Sequence, residues 1–112
     1  TPDLLHQNDQ LDAVKYRFIT AIERCVAIAH HIIASEGWAA PEANADAMRE
    51  LGHRGVVSAA SGTSLARASG FRNLLVHQYG DIDDERVVEF LDRLPDLEQF
   101  VRQVLTWIDS QA

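Results

Sequence analysis

Cysteine is almost absent, with Cys25 the only one in 112 residues. A lone thiol excludes an intrachain disulfide and a Cys-based zinc cluster, and it suits a reducing, cytoplasmic setting. Lysine is equally scarce: Lys15 stands against nine arginines. Arginine is the better residue for forked contacts to phosphate and carboxylate. Positive charge as a whole is in deficit, 10 basic residues against 17 acidic and a net charge of −7. That balance excludes a protein that coats nucleic acid indiscriminately. Long apolar runs are missing too. Val26–Ala34 is broken by His30 and His31, and it is far shorter than the ~20 residues that span a bilayer. The opening TPDLLHQNDQ has neither the basic nor the apolar part of a signal peptide. No stretch alternates with period two, so no sheet is expected.

What remains is an ordinary globular composition, 46% apolar and 24% charged, with the length of a single domain over residues 1–112. Apolar residues recur at Leu11, Val14, Phe18, Ala21, Cys25, Ile28 and Ile32. Spacings of three and four mark one buried helical stripe. A second row at Ile19, Ile22, Val26 and Ile33 widens it. With Asn8 or Asp9 as cap and Gly37 as stop, the first helix runs for about 25 residues. Such length without an internal break points to an antiparallel bundle or a dimer seam.

Pro41 suits the first turn of a second helix that ends near Gly52 and Gly55. Its apolar residues Ala43, Ala47, Met48 and Leu51 are small for the most part, so it reads as short and peripheral. Ser58 can cap a third helix, weakened by Gly62 and the Ser61–Ser64 cluster. A firm pattern returns at Leu65 and runs to Tyr79, with Gly80 as its stop. Asp83 or Asp84 caps the next helix, which Pro95 breaks at Leu94. A last helix carries Leu97, Phe100, Val101, Val104, Leu105 and Ile108. The expectation is an all-α, up-and-down bundle of about five helices.

The segment FRNLLVHQYGDID gathers Arg72, Asn73, His77 and Tyr79 on one helix ending. Asn73 and His77, four apart, share a face; Arg72 and His77, five apart, are separated by about 140° on an ideal helix. They meet only if the last turn distorts, the arginine wraps round, or a second subunit supplies the partner. Periodicity alone accounts for the segment as a helix end with a cation near the C-terminal dipole.

The same residues resemble a known signature. Arg72-Asn73 followed by His77 matches the R-x4-H motif of the HEPN superfamily, with its polar residue after the arginine. The extension through Tyr79, R-x4-H-x-Y, is similar to the HepT toxin family. Gly70-Phe71 before the motif, Gly80-Asp81-Ile82-Asp83 after it and the stretch LPDLEQFVRQVL resemble that family as well.

The resemblance implies an endoribonuclease toxin that cleaves RNA, tRNA among the candidates, without a metal or cofactor. The ribose 2′-OH attacks the adjacent phosphate and leaves a 2′,3′-cyclic phosphate. A free histidine side chain titrates near neutrality, so His77 suits proton transfer; Arg72 can fork onto phosphate oxygens. One histidine does not easily serve both proton transfers, and the family's sites form across a homodimer. Asn73 would orient the histidine or the phosphate. Tyr79 is implied as the acceptor for AMP from a nucleotidyltransferase antitoxin of the MntA type, which would block the cleft with bulk and charge. A second reading, drawn from the acidic surface, is a non-catalytic helical module that presents nucleotide or substrate to such a partner.

Charge distribution reconciles an RNA substrate with the net acidity. Residues 1–80 hold seven basic and eight acidic residues, whereas residues 81–112 hold three and nine. Leu65–Gly80 contains Arg67 and Arg72 and no acid. A confined cationic cleft is therefore compatible with the count, and the acidic final quarter is a candidate docking face for the partner. Elsewhere, His30 and His31 lack a ligand three or four residues away, so no helix-borne metal site is expected, and His53 reads as a surface residue and His6 as part of a tail. Arg49, Arg54 and Arg67 could border an RNA path, although isolated surface arginines are usually just solvated.

Overall fold

The computed structural model describes residues 2–77 and 92–111, with side chains at residue 13 and over 16–72 and 92–111. The described residues form four helices and no strand: α1 (Pro2–Ser35), α2 (Asn44–His53), α3 (Ala59–His77) and α4 (Leu94–Gln111). The protein is all-α, as the periodicity requires. The helix expected after Asp83 or Asp84 lies, up to residue 91, outside the described residues, as does the Gly80 stop.

Helix α1 has 34 residues, about 50 Å at the usual rise, and exceeds the sequence expectation at its front end. Pro2 occupies the first turn, where its missing N–H costs nothing. Asn8 and Asp9 are inside the helix, not at its start, and His6 is helical, not part of a tail. Leu4 stands seven residues before Leu11 and continues the heptad register. The other end follows the expectation. Gly37 adopts φ +73°, and the N–H groups of Gly37 and Trp38 return to the carbonyls of Ala34 and Ile33 at 3.2 and 3.0 Å. This is a Schellman closure around a left-handed residue. Gly55, φ +77°, ends α2 the same way, with Val56 N–H on the Leu51 carbonyl at 3.0 Å.

The window Tyr16–Ser35 is long and apolar enough, by length and composition, to cross a membrane. It extends the apolar run Val26–Ala34 at both ends. In the bundle, one third of that window is buried. Phe18, Ile22, Cys25, Ala29, Ile32 and Ile33 face inward, against residues of α2, α3 and α4. Each such large side chain taken out of water contributes roughly 1.5–3 kcal/mol.

Two corrections concern the middle of the chain. Helix α2 begins at Asn44 with Ala43 as an extended N-cap, so Pro41 precedes the helix and does not sit in its first turn. Nor is α2 peripheral: Ala47, Met48 and Leu51 are fully buried. The third helix is not weak either, because α3 runs unbroken from Ala59 to His77. Ser58 caps it as expected, its Oγ accepting from Ser61 N–H at 3.1 Å. Gly62 does not loosen the helix; it permits a close crossing. A Cβ there would stand 2.9 Å from the Met48 carbonyl oxygen and 3.3 Å from Gly52 Cα.

The break near Pro95 takes the form of a turn at Asp92–Arg93. Asp96 N–H donates to the Arg93 carbonyl at 2.9 Å, and Pro95 falls in the first turn of α4, a position it tolerates well. Leu97, Phe100 and Val104 of α4 enter the core. Gln103 Oε1 accepts from Ser58 N–H at 2.7 Å and ties α4 to the start of α3.

Candidate active site

Phe71 fixes the stretch of α3 that carries the motif. It is 4% exposed and meets Phe18 of α1 edge to face, with ring centroids 6.3 Å apart at 69°. The next residue on a helix is turned by about 100°, and that turn sends Arg72 along the flank of α1. There Glu23 Oε1 accepts from Arg72 Nε at 3.0 Å and from Nη2 at 2.6 Å. The arginine side chain is 26% exposed and the glutamate 47%. A pair this open to solvent adds only ~0.2–1 kcal/mol to stability. Its consequence is geometric, since two N–H bonds to one oxygen fix the guanidinium plane.

Helix α3 is regular from Arg72 to His77, so the backbone keeps these two positions about 140° apart. Asn73 and His77 share the face that the spacing predicts on α3; their side chains, and Tyr79 altogether, lie outside the described residues. Glu23 escaped sequence reading. It is 49 residues from its partner and carries no motif of its own.

The remaining candidates resolve into ordinary roles. His30 Nε2 is 2.9 Å from Asn44 Oδ1, joining α1 to the start of α2. His31 and His53 are exposed. Arg49 pairs with Asp46 at 3.5 Å and Arg54 with Glu50 at 2.7 Å. The Arg54 guanidinium also lies over Trp38, 4.8 Å from the ring centroid. Arg67 is exposed on α3. Among the described residues no three His, Cys, Asp or Glu side chains are grouped to hold a metal. Burial pushes the Cys25 thiol up to about 11, so it stays protonated at neutral pH and is a poor nucleophile.

On another face of α1, α1 and α4 border an apolar groove. Ala21 and Ile28 line it from α1, Val101 and Leu105 from α4. Leu94, Val101, Leu105 and Ile108 are 39–55% exposed along this edge. Arg24, Glu98 and Arg102 stand at its rim.

The family described as ribonuclease HepT-like matches residues 2–104, nearly the whole chain. The chain belongs to the HepT-like family. The mRNA nuclease HepT of Shewanella oneidensis is 28% identical to it over 91 residues, which is 80% of this chain and 68% of that relative. No solved structure matches. Within this HepT-like chain, the Arg72–His77 segment that carries the motif sits on the one helix that Phe18 and Glu23 hold from α1.

Proposed function

We propose that this HepT-like protein is a metal-independent endoribonuclease toxin whose catalytic groups are Arg72 and His77. The observation that carries the reading is Arg72, oriented by an ion pair on the flank of α1 and followed at helical spacing by Asn73 and His77. A relative named as an mRNA nuclease supports RNA as the substrate; mRNA and tRNA are both candidates. In the reaction, the 2′-oxygen forms a bond to phosphorus as the bond from phosphorus to the 5′-oxygen breaks. The 2′-OH proton passes to a base and the leaving oxygen takes one from an acid. Histidine fits both exchanges at neutral pH, and the Arg72 guanidinium offsets the charge on the pentacovalent phosphate. Asn73, on the His77 face, orients the histidine or the phosphate.

The working unit is a homodimer. The 140° between Arg72 and His77 on a regular helix favours completion of each cleft by a second copy, and so does the need for two proton-transfer groups. The exposed edge between α1 and α4 is the proposed contact. Its rim carries Arg24, Arg102 and Glu98, charges of both signs that can pair across a two-fold axis. Tyr79 accepts AMP from a nucleotidyltransferase antitoxin of the MntA type, which closes the cleft to RNA, and the pair works in the cytoplasm.

Two measurements test this reading. Unmodified protein should cut a labelled mRNA transcript or tRNA, and Arg72→Ala and His77→Ala should each abolish the cleavage. Cutting that survives His77→Ala removes the proposed chemistry. Intact mass after co-expression with the nucleotidyltransferase should rise by one or more AMP units in wild type and not in Tyr79→Phe. An equal gain in Tyr79→Phe would place the modification elsewhere.

A further inference from the structure

We infer that Glu23 is a positioning residue for Arg72, an inference that rests on the ribonuclease reading above. The guanidinium is planar and offers its donors along two usable edges. Glu23 Oε1 takes the Nε–Nη2 edge, with both bonds at 3.0 Å or less. Holding that edge sets the direction of the other, Nη1–Nη2, the fork that matches two phosphate oxygens. An arginine ends four rotatable bonds, and two hydrogen bonds to one carboxylate oxygen restrict the turn of its guanidinium between α1 and α3.

The same carboxylate has an opposite effect on binding. Placed beside the arginine, its negative charge weakens the attraction of Arg72 for an RNA phosphate in the ground state. Removing it should therefore not weaken substrate binding. It should slow the chemical step, because a reacting group displaced by even 1 Å can cost about 100-fold in rate. A rate that falls while KM stays level or drops separates orientation from simple affinity. A residue that merely helped the helices pack would instead lower the amount of folded protein and leave both constants of that fraction unchanged.

The test uses full-length protein without AMP on Tyr79, a labelled mRNA transcript, and thermal midpoints recorded for every variant. Glu23→Ala should lower kcat roughly 10-fold or more without raising KM. Glu23→Gln keeps an oxygen acceptor for Arg72 and should recover most of that loss. In an Arg72→Ala background, Glu23→Ala should have no further effect, since two residues acting through one group are not additive. If Glu23→Ala does not fold, Glu23→Asp, with its carboxylate withdrawn by one methylene, carries the same expectation. Unchanged or faster cleavage by Glu23→Ala, or an additive loss in the double variant, overturns the inference alone. Normal cleavage by Arg72→Ala overturns the reading of the site and the inference with it.

Discussion

Glu23 of α1 holds Arg72 of α3 through two hydrogen bonds to a single carboxylate oxygen, 49 residues away in sequence. The helix pair is registered by Phe18 against Phe71, so an aromatic contact and an ion pair act at consecutive residues of α3. The first contact is buried and fixes the helix; the second is half exposed and fixes only a side chain. Stability and the proposed chemistry thus fall on neighbouring residues with different energetics, and substitutions can separate them.

Two glycines of α3 should respond in opposite directions to alanine. At Gly62 the new Cβ would meet the Met48 carbonyl oxygen at 2.9 Å, and forcing the helices apart should destabilise by ~1–3 kcal/mol. At Gly70 nothing lies within 4 Å of the added carbon, so Gly70→Ala should stabilise by about 0.5–1 kcal/mol through helix propensity. Urea denaturation of the two variants checks the contrast. Equal effects at both positions would contradict the close crossing of α2 and α3.

Cys25 should be inert in the folded protein. Its thiol is buried and pushed up to about 11, so an aromatic disulfide reagent at pH 8 should label it only after unfolding. The raised value also has a pH consequence. Below the ordinary thiol value of 9.0 the thiol is protonated in both states, and its contribution is fully present. Between pH 9 and 11 the unfolded chain loses this proton first, and that contribution declines. Wild type should therefore lose stability across that window more steeply than Cys25→Ala. Prompt labelling of native protein would contradict the burial.

Charge placed on the apolar edge of α4 should dissociate the proposed dimer. Val101 and Leu105 are 39% and 55% exposed, so Val101→Glu with Leu105→Glu spares the buried residues Leu97, Phe100 and Val104. Light scattering should give a dimer for wild type and a monomer for the double variant, at similar helical content. A dimer that persists would place the second copy on another face.

The helical architecture was readable because its causes are local. Phe18, Cys25 and Ile32 recur at seven, and Gly37 and Gly55 stop helices through a backbone conformation that glycine favours. Ser58 announced a cap and is one. Misreadings arose where a residue's role depends on a distant neighbour. Gly62 looked like a weak point until α2 lay against it, and the small residues of α2 looked peripheral for the same reason. The length of α1 was underestimated because its first turns are polar. At the site, the motif gave Arg72, Asn73 and His77 their positions on α3, whereas Glu23 has no signature in sequence and is found only by its distance to Arg72.

The most direct test of the account is the chemistry of the RNA ends. Unmodified protein incubated with a labelled transcript in excess EDTA should yield fragments ending in a 2′,3′-cyclic phosphate and beginning with a 5′-OH. The same preparation carrying His77→Ala should yield none. Cleavage that requires added metal, or 5′-phosphate ends from wild-type protein, would contradict attack by the ribose hydroxyl and with it the proposed roles of Arg72 and His77.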